Sequence, residues 1–179
     1  MRPLLGDATL RLLGYYWGIF GVIALISSAI YRLSFRVLEL QDVQLGALHW
    51  IVLVVFTLLM IHSEGYRGFH LNFSPRVVVR ALYLRNNNRP WLSLLGPVFC
   101  MGYFHATRRR MLTSFGVTAA IVIAVLLVSR APSPWRGIID AGVVAGLVAG
   151  VLSLLWHWVQ AEFFNRPPQI PPDLPRVDV

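Results

Sequence analysis

Read for apolar and polar positions alone, the chain is a set of long uncharged runs separated by short stretches rich in arginine. Residues 12–31 (LLGYYWGIFGVIALISSAIY), 45–63 (LGALHWIVLVVFTLLMIHS), 111–129 (MLTSFGVTAAIVIAVLLVS) and 138–158 each continue for about the 20 residues that a helix needs to cross a hydrocarbon core of roughly 30 Å. None of these runs alternates with period two, and all are too long for strands, so the pattern predicts an all-α integral membrane protein with four transmembrane helices. The first run is longer than a signal-peptide core and opens on Tyr15, Tyr16 and Trp17, residues suited to a membrane interface, so it reads as a retained span.

A fifth apolar stretch, residues 91–105 (WLSLLGPVFCMGYFH), is short and is broken by Gly96-Pro97 and Gly102. Fifteen helical residues reach only about 22 Å, less than the core thickness. Before it, Ser74 and Pro75 read as the N-cap and first turn of a short basic amphipathic helix, and Glu64 to His70 read as a turn at the headgroup level. The pattern therefore predicts four spans, an interfacial amphipathic helix, and a short re-entrant or interfacial segment between helices 2 and 3. Residues 1–164 form one transmembrane domain. Residues 165–179 (NRPPQIPPDLPRVDV) read as a proline-rich, disordered cytoplasmic tail.

Charge orients this arrangement. Only 13% of the chain is charged, against about 25% in a soluble domain, and all sixteen basic residues are arginine. Eight of them fall in the loop of residues 64–110, which resists translocation and marks the cytoplasmic side. If residues 91–105 crossed, Arg108, Arg109 and Arg110 would lie opposite Arg67, Arg76, Arg80, Arg85 and Arg89, so the segment is expected to return to the side it left. The balance places both termini inside, in a bacterial inner membrane. Anionic lipid headgroups are the first expected partner of the positive charge, through Arg67, Arg76, Arg80, Arg85, Arg108, Arg109 and Arg110. No nucleic-acid-binding motif fits between these helices. The single cysteine, Cys100, excludes an internal disulfide.

Three groups of residues are candidates for chemistry or packing. Gly142, Gly146 and Gly150, flanked by Ala141, Ala145 and Ala149, form a glycine-zipper row on the fourth helix, the kind of face that lets two backbones approach in lipid. It is expected to pack within the bundle or against a homo-oligomer or membrane-protein partner. His62, His105 and His157, with Glu64, His70 and Glu162 close by in sequence, are expected at one depth near the cytoplasmic interface, a precondition for a metal or haem site, although no paired-histidine box accompanies them. His49 and Asp140 each lie about one turn inside the outer end of a helix and form a possible polar pair, with helix capping as the plainer role of Asp140. There is no Walker loop, GxSxG elbow, dinucleotide fingerprint or CxxC.

Together these features point to a small non-catalytic membrane subunit or assembly factor that packs through helix 4 and contacts anionic lipid through its arginine loop, without a required cofactor. The alternative is a membrane enzyme or redox protein that uses the histidine and glutamate set on a lipid or quinone. A transporter is disfavoured by the apolar helix centres.

Overall fold

The computed structural model describes residues 5–87 and 90–174, which are helix and connecting loop with no strand among them. Arg2, Arg89 and the tail beyond Leu174 lie outside the described residues. Helix α1 covers Leu5–Leu38 and ends in a short 3₁₀ turn, Glu39–Asp42. Helix α2 (Ala47–Met60) runs without a break through a π-helical segment, Ile61–Phe73, into α3 (Ser74–Asn86). Two single-turn helices, α4 (Pro90–Leu94) and α5 (Gly96–Cys100), precede α6 (Arg108–Val128) and α7 (Trp135–Glu162). Four continuous helical stretches are long and apolar enough to cross a membrane: Thr9–Asp42, Ala47–Asn86, Arg108–Val128 and Trp135–Glu162.

The longest of these corrects the sequence reading. No turn separates residue 63 from Ser74, and Ser74 caps nothing, because the helix of 40 residues passes straight through both. Gly65 and Gly68 suggested a turn, but Gly65 serves packing: a Cβ there would lie 2.7 Å from the Ala149 Cβ. Pro75 has no N–H to donate and follows directly on Ser74, whose N–H still bonds five residues back to Phe69. The proline thus falls where the bonding register reverts from π to α.

Helix α3 is correspondingly not a separate helix lying flat on the lipid. Val77, Val78, Ala81 and Leu84 form one apolar stripe, and all four are buried against Tyr15, Ile19 and Val22 of α1, Leu154 of α7, and Leu92, Phe99 and Cys100. A stripe of this spacing is satisfied by protein as readily as by acyl chains. Here the neighbouring helices supply the cover.

The segment of residues 91–105 doubles back along α1, as its glycines and proline predict. Ser93 sits against Gly14, the Gly96 backbone against Gly18, and Pro97 against Gly21, after which Cys100 returns to Gly18. Gly21 lies seven helical steps beyond Gly14, so the hairpin climbs about 10 Å along α1 before turning. A Cβ on Gly21 would lie 2.2 Å from Pro97, and one on Gly96 would lie 3.1 Å from the Gly18 nitrogen. This groove of small residues on α1 is what seats the hairpin.

The described part of the tail departs from the disorder expected of its composition. The Asp173 carbonyl accepts the Thr107 N–H at 2.8 Å, the Asp173 carboxylate lies 3.5 Å from Arg76, and Leu174 packs on the core. Prolines remove donors from the segment but leave its carbonyls available, and these meet arginines and free N–H groups of the loop.

Candidate functional site

Among the described residues Arg80 is the most deeply placed charge, 1% exposed. Its Nε donates to the Phe99 carbonyl at 2.7 Å, Nη1 to Pro172 at 2.7 Å, and Nη2 to Phe104 and His105 at 3.1 Å each. The guanidinium also lies over the Phe99 ring, 4.1 Å from its centroid. Four carbonyls around a planar five-donor fork satisfy the buried guanidinium, with the negative charge of Asp173 nearby, and they fix the hairpin and the tail to α3. Arg80 is therefore a structural tie and is not available to a lipid headgroup.

The other predicted headgroup arginines divide in two. Arg76 faces Asp173, Arg85 binds Glu162 at 2.9 Å, and Arg110 packs against Gly102. Arg67, Arg108 and Arg109 are exposed.

The predicted metal set does not converge. His105 lies in the hairpin against Trp91 and Phe99, with a positive φ of 47°, while Glu64 stays beside Gly68 and Gly146. Among the described residues no group of three or more His, Cys, Asp or Glu side chains is placed to hold a metal. His49 and Asp140 are each taken by a nearer neighbour. The His49 Nδ1 accepts the Gly46 N–H at 3.2 Å and its ring meets Trp135, whereas Asp140 faces Arg136 at 3.9 Å. Asp140 Oδ2 and Arg136 Nε are buried without a hydrogen bond, beside a groove of about 220 Å³ lined by Arg36, Glu39, Leu40 and Arg136.

A different polar cluster forms where the π segment meets α7. In a helix bonded five residues back, side chains four apart nearly overlie, and His62, Tyr66 and His70 form a ladder with ring centroids 6.0 and 5.6 Å apart. The close approach of Gly65 to Ala149 brings the last ring of the ladder to α7, where His70 and His157 lie 4.8 Å apart. Ser153 anchors both. Its hydroxyl bonds the fully buried Ser74 Oγ at 3.1 Å and meets His70 Nδ1 at 3.2 Å, while its carbonyl meets His157 Nδ1 at 2.9 Å.

One of these contacts sets a tautomer. A carbonyl can only accept, so His157 donates from Nδ1 and carries its lone pair on Nε2, while the Ser153 hydroxyl can either accept from His70 Nδ1 or donate to it. Beside them runs a groove of about 220 Å³ lined by Ile61, Gly65, Tyr66, His70, Ala149 and Ser153. Sequence reading placed His70 near His62 and His157 and took Ser74 for a helix cap, but it did not single out Ser153, because the contact between His70 and Ser153 joins residues 83 apart. The local signal was the spacing of His62, Tyr66 and His70, four residues apart, which puts them on one helical face only if the helix runs on past residue 63.

The glycine row on α7 faces the α2 and π helix. Cβ atoms on Gly142 and Gly150 would fall 2.5 Å from Phe56 and 2.6 Å from Phe69, and one on Gly146 would fall 3.2 Å from the Met60 carbonyl. Ala149 meets Gly65 in the same seam, and Ala141 and Ala145 are half-buried. Compared with family models, with curated proteins and with solved structures, the chain matches none.

Proposed function

We propose that this multi-pass membrane protein resides in a bacterial inner membrane, with both termini and the arginine-rich end in the cytoplasm, as a non-catalytic subunit or assembly factor. The observation that carries the reading is α6. From Ile121 to Leu127 its large apolar side chains are more than half exposed, and its contacts with the rest of the chain gather in its first half, where Ser114 donates to the Met101 carbonyl and Thr118 bonds Tyr103. Gly116, Ala120 and Ala124 recur every four residues along it, and among the described residues nothing lies within 4 Å of where a Gly116 Cβ would be. In lipid, helices associate by close packing of such rows. The row on α7 is filled within the chain, so the docking role moves from α7 to α6. The hairpin along α1 is read as re-entrant from the cytoplasmic side, and Arg67, Arg108 and Arg109 as the headgroup contacts, each worth on the order of 1 kcal/mol with anionic lipid.

Photocrosslinkers at Val117, Ala120 and Ala124, compared with Leu48 and Leu58 on α2, test this in native membranes. Discrete protein adducts are expected from the α6 positions alone. Lipid adducts of equal yield from both helices would overturn the reading.

A further inference from the structure

We propose that His70 and His157 form a two-imidazole site for a divalent first-row transition-metal ion, bridging the π segment and α7. The inference goes beyond the subunit role and does not depend on it. Three features carry it. The two rings are 4.8 Å apart and inclined at 56°, close enough for one ion to reach both. His157 spends its Nδ1–H on the Ser153 carbonyl, and His70 Nδ1 lies 3.2 Å from the Ser153 hydroxyl, which can accept from it, so both Nε2 atoms can serve as ligands. Metal-binding histidines are held in this way, the second nitrogen donating to a neighbouring oxygen so that tautomer and ring orientation are set before the ion arrives. The anchor is itself fixed, because the Ser153 hydroxyl is bonded to a serine buried in the core. His70 also lines the groove beside Gly65 and Tyr66, so an ion has a route in from outside the bundle.

Imidazole nitrogen suits zinc, copper, nickel and iron, and among divalent ions copper is bound most tightly at a given nitrogen site. With two protein ligands, water fills the remaining positions. The ion would add a tie between two helices already packed through Gly65, Ala149 and Gly150.

The full chain, purified in detergent and stripped with EDTA, is titrated with copper(II) alone and followed by electron paramagnetic resonance and thermal unfolding. One ion per chain is expected, with hyperfine structure from two nitrogens and a rise in Tm on binding. His70→Gln and His157→Gln should each weaken binding at least tenfold and abolish the rise in Tm, while His62→Gln and His105→Gln leave both intact. Circular dichroism separates loss of the site from loss of the fold, and a variant that unfolds is replaced by asparagine at the same position. No uptake by the wild type, a one-nitrogen spectrum, or binding that survives in the doubly substituted chain would each overturn the proposal.

Discussion

Helices α6 and α7 carry the same kind of message in sequence and meet different fates in the structure. Both are apolar, and both have small residues every four positions. On α7 the row is filled, because α2 and the π segment present Phe56, Met60 and Phe69 at the matching heights. On α6 none of the described residues comes within 4 Å of where a Gly116 Cβ would be. The contrast teaches that a small-residue row permits close approach but does not by itself cause it. In lipid there is little hydrophobic drive between helices, so a row is occupied only where a partner's large side chains coincide with it.

Substitutions along the rows sharpen that contrast. The largest effect is expected for Gly146→Leu, which drives a side chain into the Met60 carbonyl and the Glu64 side chain. Overpacking of this kind costs about 3 kcal/mol, and backbone cannot yield as a flexible side chain can. Thermal unfolding in detergent should show a large drop in Tm; an unchanged Tm would mean that α7 does not pack on α2. Next comes Gly21→Val, which meets Pro97 at the tip of the hairpin and should displace it at a cost of about 2 kcal/mol. Cys100, fully buried under that hairpin, reports the displacement. It should resist maleimide in the wild type and react in the variant. The smallest effect belongs to Gly116→Leu, which has open space and should change stability by less than about 0.5 kcal/mol while removing the α6 crosslinks. If Gly116→Leu melts the protein as Gly146→Leu does, the distinction between the two helices fails.

A labelling experiment orients the same comparison. Cysteines at Asn87 and Arg109 should be reached from one face of a sealed vesicle, and a cysteine at Gln41 from the other, because the hairpin between the first two returns to its starting end.

What could be read from sequence followed from local physics. Apolar runs of about 20 residues announce spans, and Gly96-Pro97 within a run too short to cross announces a hairpin. The one-sidedness of the arginines made the same prediction for residues 91–105 from independent grounds. What could not be read depends on register and on distant partners. The π segment hides the continuity of α2 with α3, since its glycines and the Ser74-Pro75 pair carry the usual marks of a turn and a new helix. The glycines of α1, spaced four and then three, were lost in an ordinary apolar run until the hairpin was seen lying in them. Arg80 looked like any surface arginine of a basic loop. Only the tertiary fold supplies the carbonyls that explain its burial.

The ring of carbonyls around Arg80 also sets an order of events during biosynthesis. Three of its acceptors, on Phe99, Phe104 and His105, are 19 to 25 residues downstream, and the fourth, on Pro172, is 92 residues downstream. While the ribosome is still making α6 and α7, the guanidinium has most of its final partners, but the position taken by Pro172 is left to water. Closure waits until residue 172 has been made. The segment around Pro172 thus works as a clasp, and a chain cut before that residue would leave this cation open on one side.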